Sequence, residues 1–85
     1  MKITILYGGK SGEHEVSLVS AASVARNIDL SKHTVDLIGI TKEGKWFFQD
    51  SSELERIKKD TNASLQIKEK YPVVIVPGGS KQNAL

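Results

Sequence analysis

Eighty-five residues, 39% apolar and 26% charged, describe at most one modest globular domain rather than a disordered or repetitive chain. Twelve basic residues against ten acidic ones leave a net charge of +2, and aromatic residues are few, so nothing argues for a nucleic-acid partner. The absence of cysteine excludes disulfides and thiolate metal sites. The longest apolar run, Val73–Val76, is far below membrane-spanning length, and no signal-peptide core follows Met1, so the expectation is a cytoplasmic protein with no membrane partner.

Ile3–Tyr7 reads as a first strand, apolar on both faces as a strand inside a parallel sheet should be. Gly8 and Gly9 break it, and a helical pattern follows from about His14 to Asn27. On that helix Leu18, Ala21, Ala22, Ala25 and Ile28 share one face, and the alanines permit close approach to a sheet. Ser17, Ser20, Ser23 and Asn27 take the other side. Gly12 or Ser11 is expected to cap the helix, and Glu13 and Glu15 suit the positive end of its dipole.

Thr34–Thr41 reads as a second strand. Lys42-Glu43-Gly44-Lys45 is a turn, and Trp46–Gln49 returns as an antiparallel partner. Ser51 to about Lys59 has a weak helical pattern anchored by Leu54 and Ile57, with Ser52 and Glu55 at capping-box spacing. Thr61–Glu69 carries no clear pattern. Tyr71–Val76 is expected to be a last buried strand, parallel to and near Ile3–Tyr7, ended by Pro77-Gly78-Gly79. The alternation predicts an α/β fold: a three-layer, Rossmann-like open sheet, incomplete at this length.

In open α/β sheets the turn after the first strand lies at the ligand-binding edge, which makes residues 8–17 the candidate site. Several sharper readings fail on spacing. A P-loop needs glycine at Thr4, and a dinucleotide fingerprint needs glycine at Lys10. A zinc-protease helix needs histidine at Leu18, and Glu13, His14 and Glu15 are splayed by about 100° each on a helix, so no metal site is expected. Asn62-Ala63-Ser64 matches a glycosylation acceptor by chance.

Gly8-Gly9-Lys10-Ser11-Gly12-Glu13-His14-Glu15-Val16-Ser17 resembles the N-terminal hallmark of D-alanine–D-alanine ligases, members of the ATP-grasp superfamily. Leu18–Ala22 and the Val35–Phe48 strand pair extend the resemblance over roughly the first 50 residues. It implies that residues 1–85 are the N-terminal part of a pre-ATP-grasp domain. The His-Gly-x-x-Gly-Glu-Asp-Gly segment and the ATP-grasp domains lie outside this chain. By the same resemblance Glu13 is the catalytic-site residue that binds and orients the ammonium of the first D-alanine. Gly8 and Gly9 serve backbone geometry beside the substrate. Val16 lines its methyl pocket, with helix core as the competing reading.

Glu15 is expected to reach back to the loop and Ser17 to bond from helix to loop. His14 receives no role, and Trp46, Phe47, Phe48 and His33 are read as packing or surface residues. The whole enzyme is expected to use ATP and Mg2+ (or Mn2+), to act on D-alanine and to form a homodimer, while this segment alone binds no cofactor and is inactive. A D-alanine–D-lactate ligase shares the pattern. A non-catalytic α/β binding module is the alternative of a different class.

Overall fold

A computed structural model describes residues 1–9, 12 and 14–74. Its elements run β1 (Lys2–Gly8), α1 (His14–Arg26), β2 (Thr34–Ile40), β3 (Trp46–Gln49), α2 (Ser51–Lys59) and β4 (Tyr71–Pro72). They form one four-stranded open sheet in the order β1-β2-β3-β4. β1 and β2 are parallel, with Lys2 opposite Thr34 and Gly8 opposite Ile40. The crossover between them is α1, as a parallel pair requires. β2 and β3 are antiparallel across the turn that Gly44 closes at φ 88°.

Both helices feed one core. Ala21, Ala22 and Ala25 of α1, Leu54 and Ile57 of α2, and Leu65 cluster on Tyr7 and Leu37, with Ile5, Leu18 and Val35 packed at the margin. Among the described residues this gives two layers, sheet and helices. The opposite sheet face carries an apolar row across all four strands, since Leu6 faces Ile38, Ile38 faces Phe48 and Phe48 faces Tyr71. Val16, Val19 and Val24 stay 55–60% exposed on the outer side of α1, beside the serines expected there.

The last strand differs from the sequence expectation. Tyr71–Pro72 is short, exposed and antiparallel to β3, with Val73 N–H donating to Trp46 O at 2.9 Å. It shares the sheet with β1 but flanks the opposite edge, so the two are not neighbours. The free edge of β3 is available for those bonds, and Pro72 supplies no N–H to prolong them. Val74 is 80% exposed, and Ile75 and Val76 lie outside the described residues.

Helix α2 has the expected bounds but another cap. The Asp50 carboxylate, rather than the Ser52–Glu55 pair, accepts from Ser52 N–H at 3.0 Å and from the Ser52 hydroxyl. Those two bonds hold the Asp50 carboxyl below its ordinary pKa, the hydroxyl bond contributing most.

The unpatterned stretch after α2 is a strap tied down by polar groups from every neighbouring element. Leu65 N–H donates to Leu18 O, Tyr7 Oη to Gln66 O at 2.6 Å, and Gln66 N–H to Glu53 Oε2 at 2.7 Å. Gln49 exchanges bonds with both backbone groups of Lys68, and Arg56 donates to Ser64 O. Burial of the Tyr7 phenol, then the nearby Glu53 charge, pushes its pKa well above the ordinary value. The strap delivers Ile67 to the carboxyl ends of β1 and β2.

Candidate functional site: the turn between β1 and α1

Gly8 and Gly9 both adopt positive φ, 92° and 106°, which non-glycine residues avoid. Their needs differ. A Cβ on Gly8 would stand 2.3 Å from Ile40 O and 2.9 Å from Ile67 Cδ1, so the position is closed by backbone and strap. A Cβ on Gly9 would meet none of the described residues within 4 Å, so among them its dihedral alone demands glycine. Gly9 N–H donates to Ile40 O at 2.8 Å, fixing the turn to the end of β2.

The first turns of α1 hold the other side. Ser17 Oγ accepts from Gly8 N–H at 2.9 Å, the helix-to-loop bond expected of that serine. His14 Nδ1 lies 2.8 Å from Gly9 O; a carbonyl only accepts, so Nδ1 carries the hydrogen. His14 is 8% exposed. Together with Thr41, Lys42, Glu43, Ile67 and Glu69 it lines a cleft of about 220 Å³ beside the turn. The grooves of about 430 and 420 Å³ run along the β3–β4 flank past Trp46, Phe48 and Tyr71, away from Gly8 and Gly9.

The expected site residues fare unequally. Gly8, Gly9 and Ser17 come together at the turn. Val16 is 60% exposed, which removes the helix-core reading and leaves its side chain open to solvent. Among the described residues Glu15 pairs with Lys42 of the β2–β3 turn at 3.5 Å, with both side chains largely exposed. Glu13, Lys10 and Ser11 lie outside the described residues. His33 is half-buried with Nδ1 lacking a hydrogen-bond partner, not simply a surface residue.

Sequence reasoning missed His14 and Ile67 at this site. The three-residue interval from His14 to Ser17, which puts both on one helix face, was the legible signal for the first. Nothing in the pattern of residues 61–69 signalled the second.

An open α/β sheet with a glycine turn leading into a helix N-terminus defines a ligand-edge architecture common to many nucleotide- and substrate-binding domains. The relatives narrow it. The chain belongs to the family described as the D-ala D-ala ligase N-terminus, which matches residues 2–84. It is 51% identical over 87 residues to a D-alanine–D-alanine ligase of Treponema denticola, a match covering 100% of this chain and 23% of that relative. The solved structure of the D-alanine–D-alanine ligase from Coxiella burnetii superposes with a TM-score of 0.62 at 31% identity, over 72% of this chain and 17% of that one. The VanG D-Ala:D-Ser ligase from Enterococcus faecalis superposes at 0.56 with 34% identity, over 73% of this chain and 19% of that one. The chain thus spans under a quarter of the length of these relatives.

Proposed function

We propose that these residues are the N-terminal part of an ATP-dependent D-alanine–D-alanine ligase and form one edge of its first D-alanine site. The observation that carries the reading is the family match over residues 2–84, centred on a turn whose glycines adopt the positive φ that the motif needs. In this reading the Glu13 carboxylate receives the ammonium of the first D-alanine through a charge-assisted hydrogen bond, strong and directional enough to orient it. The helix N-terminus helps keep that carboxylate ionised. Gly8 and Gly9 let the backbone come close to the substrate, and the exposed Val16 side chain faces its methyl group.

Among the described residues no three His, Asp or Glu side chains gather as a metal site would need. By the family resemblance, ATP and Mg2+ (or Mn2+) are assigned to the ATP-grasp domains of the longer chain. There the carboxylate of one D-alanine is activated by phosphorylation, and the amine of the second displaces phosphate to give a dipeptide for peptidoglycan precursors. A cytoplasmic location, where ATP is supplied, and a homodimer of the full protein belong to the same proposal. The likeness to a D-Ala:D-Ser ligase means that enzymes with different second substrates share this segment, so the assignment concerns the first.

The test is to incubate the full chain with ATP, Mg2+ and D-alanine. One phosphate released per D-alanyl-D-alanine formed is expected, and none from residues 1–85 alone, because phosphoryl transfer rests on positioned charge and metal. A full chain that makes no dipeptide would overturn the reading. Phosphate release by residues 1–85 alone would overturn the placement of ATP elsewhere.

A further inference from the structure

We infer that His14 is a positioning residue of the first-substrate site, tethering the glycine turn to helix α1; the role rests on the ligase reading above, while the tether itself does not. Gly9 and His14 are the two ends of a short connection, and the 2.8 Å bond from Nδ1–H to Gly9 O joins those ends directly. Glu13, the residue proposed to take the substrate ammonium, is the immediate chain neighbour of His14. Whatever fixes His14 against Gly9 limits where that neighbour's backbone can go.

Two glycines in succession have no side chains of their own to hold a conformation, and the freedom they lose on folding is large. The structure compensates with side chains from the helix. His14 donates to the carbonyl of Gly9, and Ser17, one helical turn further, accepts from the N–H of Gly8 at 2.9 Å. Adjacent residues of the turn are thus gripped through opposite polarities from a single helix face. The imidazole is 8% exposed, and its Cε1 would lie 3.2 Å from a Cβ on Gly8. Ile67 closes on the same glycine from the strap. A side chain this buried makes its hydrogen bond at little further entropic cost.

The test uses the full chain with two variants of different chemistry. His14→Asn keeps an N–H donor near the position of Nδ1, whereas His14→Phe keeps a ring and loses the donor. Expected for His14→Phe is a rise of about ten-fold in KM for the first D-alanine, the size of one lost hydrogen bond, with kcat and KM for ATP nearly unchanged. His14→Asn should recover most of that loss. Hydrogen exchange supplies a readout independent of turnover: amides of residues 8–14 should exchange faster in His14→Phe, while those of β2 and α2 stay protected. Unchanged exchange in His14→Phe would refute the tether whatever the activity. Faster exchange with an unchanged KM, or His14→Asn as impaired as His14→Phe, would refute the positioning role. Failure of the wild-type chain to make dipeptide would instead strike the ligase reading, and the exchange result would still decide the tether.

Discussion

Helix α1 meets the sheet through Ala21, Ala22 and Ala25, each at most 8% exposed, whereas α2 joins the core through Leu54 and Ile57 and buries a carboxylate, Glu53, 1% exposed, against the strap. Alanines have no side-chain entropy to lose and let the helix axis come close, so α1 packs on β1 by shape, with the Ser17–Gly8 bond added at its N-terminal end. Glu53 has to be satisfied chemically. It accepts from Arg56 Nη2 at 2.7 Å and from Gln66 N–H at 2.7 Å, and the pairing raises the Arg56 pKa, the hydrogen bond to Glu53 contributing most. The contrast bears on function. The shape-docked helix carries the glycine turn at its N-terminus, while the charge-docked helix anchors the strap that presses Ile67 against that turn.

The contrast breaks hardest at Glu53. Removing one member of a buried ion pair leaves the other uncompensated, typically at a cost of about 3–5 kcal/mol. Arg56 is 35% exposed and can turn toward water, so Glu53→Ala is expected to lose about 3 kcal/mol in urea unfolding, near the lower end. Glu53→Gln keeps an acceptor for Gln66 N–H and should lose about half as much, the difference between a charged and a neutral bond. If Glu53→Ala and Glu53→Gln were equally stable with the wild type, α2 would be docked by its apolar residues alone.

Ala22→Leu sharpens the other side. Ala22 has no exposed surface, and added methylenes in a packed core cost about 1–3 kcal/mol. A loss of about 2 kcal/mol is expected, with faster exchange at the amides of the glycine turn because α1 is pushed off β1. Glu53→Ala should instead speed exchange first in residues 63–68. Identical exchange patterns for the two variants would show that the two docking modes are not separable.

Much of this architecture was legible in the residues themselves. Ile3–Tyr7 as an apolar run, the alanine face of α1 by its helical spacing, and Trp46–Gln49 as the return after a glycine turn each form the expected element. What escaped was non-periodic. The strap has no repeating apolar pattern because its hold is polar, from Tyr7, Gln49, Glu53 and Arg56, residues far from it in sequence. Asp50 displaced the Ser52–Glu55 cap because its own carboxylate stands one residue ahead of the helix and reaches Ser52 first. The run Tyr71–Val76 was apolar enough for a buried strand, yet apolarity alone does not choose a neighbour, and Tyr71–Pro72 joined β3 rather than β1. At the site, Gly8, Gly9 and Ser17 were legible from the turn pattern. His14 was not, because a histidine beside two glutamates on a first helical turn reads as solvated polarity until the Gly9 carbonyl is seen against it.

The most direct test of the account compares the two carboxylates of the motif in the full chain by steady-state kinetics. Glu13→Gln removes the charge proposed to face the substrate ammonium and changes the side chain by one isosteric group. Hydrogen bonds to charged groups contribute about 1.5–3 kcal/mol, which corresponds to a rise of about 10- to 150-fold in KM for the first D-alanine, with little change in KM for ATP. Among the described residues Glu15→Gln gives up an exposed pair with Lys42, and it should remain close to wild type in both constants. A near-normal Glu13→Gln beside a Glu15→Gln that has lost the first D-alanine would contradict the account, because it would move the substrate to the other carboxylate.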